Sequence, residues 1–525
     1  MIRDNRFASV KTPTLSTFLL PSIGNIVFVS VLFVLVFSVG NGLLGDGDAG
    51  YHIKTGEVIL QSWHVPTHDP YSLHSPPLKW TAHEWLSEVI MATLFKAFGL
   101  TGVVIFFAIL LAITHWLLYR VLSYQSDDIL LCTVIAILAT ATSSTHWLAR
   151  PHVFSLPLTV LWCHCLNRFQ YRNEKTLAYL PLLMLFWVNL HGGFIMGLIL
   201  VMIYWLGNIF HAVTGRRELS RQYLDKAKSL FLVGIASTVV CLINPQGFEI
   251  LLFPLRVTSD RFIMDRVIEF LSPNFHEALP FKYMLLTLVA ALALSRTALG
   301  VIDLALVVLL SYMALYSVRH VSLFAIVLAP ILLKTIAGII ARAPEAFLTF
   351  YEMRKRNLNA IDAHLIGYLW PPLSAILVVV VAGTGIVKYQ FNNQKFPVAA
   401  VDFLKREPIT GNMFNDDEFG DYMIFTAWPQ YRVFMDGRSD MYGKKIGNDY
   451  LRVANVQPDW KEILQKYSIS WVVFGTDSAL TAALQDQSDW RAVYSDRVAT
   501  IFVKRDAPHA ALLDKYSAVR PAFGQ

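Results

Sequence analysis

The stretch from Gly45 to Leu86, GDGDAGYHIKTGEVILQSWHVPTHDPYSLHSPPLKWTAHEWL, follows the first long apolar run and gathers Asp46, Asp48, His52, Asp69 and Glu84. A charged side chain near hydrocarbon costs about 2.5–3.5 kcal/mol on insertion scales, so acids collected there point to a task. A carboxylate in that position could take a proton from a hydroxyl or an amine. Asp48 is the candidate base. Arg150, His152, His191, Arg319 and His320 are candidate phosphate holders, since arginine matches phosphate geometry bidentately. Plainer readings stand beside these. Asp46 or Asp48 could cap the helix that follows, and Glu84 could cap a second one. His52 and Asp69 could only brace the loop, and arginine and histidine can snorkel at any helix end.

The elements that must position these groups follow from composition. Of the 525 residues, 55% are hydrophobic and 16% charged. Apolar runs of about 17–25 residues, long enough to cross a bilayer as helices, recur along the first three quarters. The expected class is an α-helical polytopic membrane protein of about 11 spans, near 22–43, 101–121, 128–147, 153–170, 177–191, 194–213, 228–244, 281–296, 299–316, 320–341 and 365–388. The net charge of +6 sits mostly in short loops and speaks for orientation, not for nucleic acid. Cys132, Cys163, Cys165 and Cys241 all fall in apolar runs, which argues against a disulfide framework. Cys163-His164-Cys165 is too closely spaced for a usual zinc pair. The N-terminal basic residues and apolar run read as a first span, not as a cleaved signal.

Charge then fixes the expected orientation. The segment 83–99 is apolar but short, and carries Glu84, Glu88 and Lys96, so it reads as an interfacial helix. With that choice the basic clusters, including Arg3/Arg6/Lys11, Arg168/Arg172/Lys175 and Arg216/Arg217/Arg221, fall on one side, the cytoplasmic one. The N-terminus is then expected to be cytoplasmic and the C-terminus outside. Polar motifs that played no part in this argument land on the outer side: the opening loop, Arg150-Pro151-His152, Asn189-Leu190-His191-Gly192-Gly193, Asn244-Pro245-Gln246-Gly247 and Arg319-His320. Together they suggest one outward-facing site.

After about residue 390 the sequence turns to ordinary α/β punctuation, which gives the expected domains: 1–389 in the membrane, with first outer loop 44–100, and 390–525 as a soluble α/β domain outside. Helices are expected at 397–406, 459–467 and 478–486. Strands are expected near 411–416, 431–436 and 470–474, with a hairpin over 490–504. Asp416, Asp417 and Glu418 could bind a cation or cap a helix, and Asp436-Gly437-Arg438 reads as a strand-ending turn. No GxGxxG, GxxxxGK[ST] or CxxC occurs.

An outward-facing site has little access to nucleotide sugars or ATP, so an activated donor there would be lipid-linked. Here the sequence resembles the GT-C superfamily of membrane glycosyltransferases that use polyprenyl-phosphate sugars, which includes protein O-mannosyltransferases and aminoarabinose transferases. The likeness rests on Asp46-Gly47-Asp48, a helical 49–61, Pro76-Pro77-Leu78-Lys79-Trp80 and helical 83–99. A less characterised bacterial subgroup is matched more fully. Its pattern runs through Asp46, Asp48, His52 and Gly56, then Pro66, Asp69 and Pro70, and His83-Glu84-Trp85-Leu86. Arg150-Pro151 with Phe154, Asn189 with His191-Gly192-Gly193, Asn244-Pro245 with Gly247, and Asp436-Gly437-Arg438 complete it. The resemblance implies sugar transfer with inversion from a polyprenyl-phosphate donor to a lipid, glycan or protein acceptor. Asp48 would be the base and Asp46 its partner. His52, Asp69, Glu84, Arg150, His152, Asn189, His191, Arg319 and His320 would bind substrate. Some members begin this loop with adjacent acids, whereas Gly47 separates them here. The separated form is similar to that of metal-dependent relatives, so Asp46 and Asp48 could ligate Mg or Mn.

Two other classes share some of these features. A lipid-linked glycan flippase also has many spans, but its internal repeats and midplane polar residues are not evident here. A non-enzymatic scaffold for envelope-polysaccharide assembly would explain an outer domain but not an acidic loop.

Overall fold

The computed structural model describes residues 19–524 except 278, 363, 364 and 366. It divides into two compact units, one of residues 1–40, 104–147 and 151–388, the other of 41–103, 148–150 and 389–525. The first outer loop thus packs in one unit with the C-terminal chain.

The first unit is helical throughout, as expected for a polytopic membrane protein. Each of the eleven apolar runs contains a helix. Among the described residues, four helices are long and apolar enough to cross a membrane, and five apolar ones are shorter. Helix starts follow local chemistry. Ser22 accepts from the amide of Asn25 at the head of Ile23–Phe37, and Asp128 accepts from Leu131 before Ile129–Ser143. The helix Val321–Ile340 is buried along most of its length. It packs against Ile129–Ser143, Ser155–Arg172, Pro280–Leu294 and Val301–Tyr316, which makes it the centre of this unit. Its largely apolar sequence, broken on one face by Lys334, fits that position.

Residues Trp85–Gln125 form two helical pieces joined at Gly99, whose φ of 63° and ψ of −165° break the helix. The break falls where the sequence separates the expected interfacial helix from the next span. A positive φ of this kind is open to glycine at little cost.

The second unit holds a four-stranded sheet in the order β1-β2-β4-β3, formed by Asn412–Asn415, Ile469–Gly475, Trp490–Ser495 and Ala499–Lys504. β1 and β2 are parallel, and the other two pairs antiparallel. The β3–β4 turn is closed by Asp496, which accepts from the amides of Val498 and Ala499 at 2.8 Å each. The expected helices appear at Val398–Arg406, Trp460–Lys466 and Ala479–Gln485. Two further helices, Asp417–Ala427 and Ser439–Ala454, lie in the crossover from β1 to β2. The core between them is aromatic, with Phe414, Phe434, Tyr450, Phe474 and Phe502 buried together.

The segment 431–436 is extended but is not a strand of the sheet. The Asn415 side chain takes the place of a neighbouring strand: its Oδ1 accepts from the Phe434 amide at 2.7 Å and its Nδ2 donates to the Met435 carbonyl at 2.8 Å. Val433 pairs instead with the first loop, donating to the Tyr71 carbonyl and accepting from Leu73. Backbone groups that a ladder would satisfy are satisfied by other partners. Helix Asp48–Ser62 also lies close to its neighbour at Gly56, where an added Cβ would come within 1.9 Å of the Glu88 carbonyl oxygen.

Candidate active site

The acids of the first loop sit at the start of helix Asp48–Ser62. The residue capping that helix is Gly47, which has no side chain to make a capping bond. Asp46 and Asp48 are therefore not cap residues. Both face Arg150, whose Nη1 is 2.8 Å from Asp46 Oδ2 and whose Nη2 is 2.5 Å from Asp48 Oδ2. Arg150 is brought there by residues 148–150 running beside 41–45, where the Ala149 amide donates to the Leu43 carbonyl at 2.7 Å.

Asp48 has a second neighbour that the sequence did not flag. Asp421, in the helix that follows β1, shares a side-chain hydrogen bond with it. Burial, then the nearby charges of Asp48 and Asp436, push the Asp421 carboxyl well above its ordinary value of 3.8. Asp421 therefore holds a proton to higher pH than a free carboxyl, and the pair shares it across their side-chain hydrogen bond. Its two oxygens accept from the Gly437 amide at 3.1 Å each. Gly437 has no room for a side chain: an added Cβ would meet Asp48 Oδ1 at 2.6 Å and Asp421 Oδ2 at 2.8 Å.

The neighbouring Arg438 is fully enclosed. Its Nε and Nη2 donate to Asp436 at 2.8 and 2.6 Å, and Tyr442 donates its hydroxyl to Asp436 Oδ2 at 2.5 Å. Its Nη1 lies 2.9 Å from Asp69 Oδ1. That contact is electrostatic, since Nη1 lacks a hydrogen bond of good alignment among the described residues. The guanidinium packs 4.5 Å from the Trp80 ring and 4.9 Å from that of Tyr71. Asp69 also accepts from the amides of Tyr71 and Ser72. Burial alone would raise its carboxyl, but Arg438 and these bonds hold it below the ordinary value. The late Asp-Gly-Arg segment is thus more than a turn: it clasps the first loop at Asp69 and orders Asp421 beside Asp48.

His52 and Glu84 lie in the same unit. His52 Nδ1 is 3.2 Å from Glu88 Oε1, and its Nε2 is 4.0 Å from Glu84 Oε2. Burial, then the charge of Arg150, lowers the His52 pKa well below its ordinary value, so the imidazole is neutral. Tyr51, one residue before it, has its phenol pushed well up by burial and by Asp48 and Glu84. Asp416 caps its helix by accepting from the Glu418 amide, and Asp417 accepts from the Tyr450 hydroxyl. The capping reading of that acidic run is the observed one.

The remaining candidates belong to the helical unit. His191 Nδ1 accepts from the Gly193 amide at 3.0 Å and contacts Ser155 Oγ at 2.7 Å, while Ser155 in turn accepts from the Trp187 indole at 2.7 Å. An Nδ1 used as acceptor places the proton of the neutral ring on Nε2. The His152 ring lies 4.6 Å from His146 and 6.3 Å from His191. Glu269 faces His146 at 3.8 Å and Arg319 at 3.9 Å. Asn189 and Asn244 tie two helix ends together, donating to the carbonyls of Ile243 and Val188 at 2.9 Å each. His320 contacts the Met313 carbonyl at 3.3 Å, seven residues back in the preceding helix Val301–Tyr316. Of the residues expected from sequence, Asp46, Asp48, His52, Asp69, Glu84 and Arg150 come together in one unit. His152 and His191 come together in the other, with Arg319 joined to His146 through Glu269. Asp421, Gly437, Tyr442, Ser155 and Glu269 were not expected. The one sequence signal for Asp421 is an acid set in the apolar turn GDYMIF.

No family model matches the sequence, and no curated protein is similar to it. Solved structures are similar in fold. The archaeal oligosaccharyltransferase AglB from Archaeoglobus fulgidus, in complex with an inhibitory peptide and a dolichol-phosphate, superposes with a TM-score of 0.56 at 11% identity over 86% of this chain and 69% of that one. An apo form of an oligosaccharyltransferase from the same organism gives 0.54 at 12% identity over 93% and 75%. ArnT from Cupriavidus metallidurans, bound to undecaprenyl phosphate, gives 0.44 at 13% identity over 93% and 97%. The chain has the GT-C-type fold: a polytopic helical membrane part joined to a smaller unit that carries a sheet.

Proposed function

We propose that the protein is an inverting membrane glycosyltransferase that moves a sugar from a polyprenyl-phosphate donor to an acceptor hydroxyl or amine. The observation that carries this reading is Asp48, an acid held between the Arg150 guanidinium and the raised carboxyl of Asp421. Asp48 accepts the acceptor's proton as that oxygen or nitrogen forms a bond to the anomeric carbon. The carbon–oxygen bond to the lipid phosphate breaks on the opposite face, which inverts the configuration. Arg150 holds Asp48 in the absence of substrate and turns toward the donor phosphate when it binds. Losing that contact frees Asp48 Oδ2 to take the acceptor's proton. Asp421 and the Gly437 amide keep its orientation fixed. The fold likeness to an oligosaccharyltransferase whose structure holds a dolichol-phosphate supports a lipid-linked donor.

The charge pattern supports a bacterial inner-membrane location with the N-terminus cytoplasmic and the second unit periplasmic. The acceptor would be a lipid, a glycan or a protein reaching that face. His152, His191 and Arg319 are the polar groups of the helical unit proposed to meet substrate, and Asp69 holds the loop through Arg438. A divalent ion such as Mg or Mn at Asp46 and Asp48 would have to displace Arg150. Among the described residues no group of three His, Cys, Asp or Glu side chains is arranged to hold one. Without such an ion, Arg150 supplies the positive charge beside Asp46 and Asp48.

The test is complementation. In a deletion strain, envelope glycans and glycolipids are profiled with the wild-type chain, Asp48→Asn or Asp48→Glu restored. One sugar modification should vanish in the deletion strain and fail to return with Asp48→Asn. If Asp48→Asn restored the full profile, the enzymatic reading would fail, and vectorial movement of a labelled lipid without transfer would favour a flippase.

A further inference from the structure

The helical unit contains a cavity of about 340 Å³ that none of the proposed chemistry uses. It lies far from the ends that carry His152, His191 and Arg319. Its lining includes Arg168 and Arg172, in the last turns of helix Ser155–Arg172, and Lys334, well along Val321–Ile340. It also includes Asp303, at the start of Val301–Tyr316. At about 1.5 Å per residue, Arg172 is about 25 Å along its helix from Ser155. The basic-loop pattern assigns this end to the cytoplasm.

The cavity is polarised along these helices. At the mouth the cations outnumber the acids. Arg172 donates to the Tyr124 carbonyl at 2.9 Å and lies 3.9 Å from that ring, and its other N–H groups have no protein acceptor among the described residues. Arg168 pairs with Glu174, yet its Nε is buried without a hydrogen-bond partner. The Lys334 side chain is 73% exposed and only 3.4 Å from Asp303, which also accepts from the Tyr171 hydroxyl at 3.2 Å. Farther from the mouth, Leu306, Val327 and Ile331 form an apolar wall, while Cys163, His164 and Asn167 add a few polar groups to the lining. Spare guanidinium donors at the rim suit a phosphate oxygen, and an apolar interior between helices suits a hydrocarbon chain.

We propose that this cavity is a second lipid site, which takes a phosphate-headed amphiphile from the membrane with its head at Arg168, Arg172 and Lys334 and the start of its chain against Leu306, Val327 and Ile331. The volume accommodates a headgroup and the first part of one chain, and the remainder extends into the bilayer. This site is independent of the proposed sugar transfer.

The test uses the full-length protein in nanodiscs and a diazirine-bearing farnesyl phosphate, with cross-linked peptides mapped by mass spectrometry. Labelling is expected in 160–172 and 301–334. It should fall at least tenfold in Arg172→Gln/Lys334→Gln and in Leu306→Trp, which fills the apolar end, but not in Asp48→Asn. The matching farnesol probe should label at least tenfold less, and inorganic phosphate at the probe's concentration should not compete. Unchanged labelling in folded variants, equal labelling by farnesol, or full displacement by inorganic phosphate would each overturn the proposal. The last two arms need only the wild-type chain, so a variant that fails to fold leaves the answer intact.

Discussion

Replacing Arg438 by methionine removes a buried cation that faces two buried carboxylates. The side chains of Arg438, Asp69 and Asp436 are 2%, 0% and 0% exposed. Removing the cation leaves two buried carboxylates without a counterion, a change that costs about 3–5 kcal/mol where one partner of a buried pair is lost. It also removes the ring contacts with Trp80 and Tyr71. The unit involved has roughly 200 residues, for which each kcal/mol moves the melting temperature by about 2–4 °C. The expected fall in Tm is therefore about 6–20 °C, read by thermal challenge and size-exclusion chromatography in detergent. The triple variant Asp69→Asn/Asp436→Asn/Arg438→Met removes the orphaned charges and should recover more than half of that loss. The two single changes Asp69→Asn and Arg438→Met should be non-additive, since the residues touch. A fall below about 2 °C, or strict additivity, would refute the idea that the late segment clasps the first loop through this arginine.

Two further changes probe the acid pair. Asp421 holds a proton to higher pH in the folded chain, whereas in the unfolded chain it ionises above about 3.8. Unfolding at higher pH therefore releases a proton, and stability falls as pH rises by up to about 1.4 kcal/mol per unit until the folded carboxyl itself ionises. Asp421→Asn removes this slope, so its Tm profile between about pH 5 and 8 should be flatter than that of the wild type, and parallel profiles would count against the shared proton. Gly437→Ala places a methyl group 2.6 Å from Asp48 Oδ1. Sugar transfer should drop at least tenfold, with Tm lowered by about 2–12 °C for the roughly 1–3 kcal/mol cost of overpacking, and unaltered transfer would separate Gly437 from the site.

The helical part of the fold was legible in the sequence because long apolar runs admit few alternatives, and the break at Gly99 was visible as a change in charge. The sheet was legible in all four strands, which read as strands on their own composition. The segment 431–436 also reads as a strand, but its partners are the Asn415 side chain and the Tyr71–Leu73 stretch, contacts that periodicity does not encode. The same limit applies to the site. Asp46 and Asp48 are conspicuous because they stand beside a membrane span. Asp421 and Gly437 complete the arrangement from a distant part of the chain, and local pattern carries no information about that meeting. Arg150 was expected to hold phosphate; its two carboxylate partners show what holds it before substrate arrives.

The most direct measurement of the central claim uses purified protein in nanodiscs with a radiolabelled polyprenyl-phosphate sugar and a membrane extract as acceptor source. Wild-type protein should consume the donor and release polyprenyl phosphate, with label appearing on an acceptor. Asp48→Asn should bind the donor with similar affinity and transfer at least about a hundredfold more slowly, the scale expected for loss of a general base. Transfer by Asp48→Asn at the wild-type rate, with its fold intact, would contradict the assignment of Asp48 as the base.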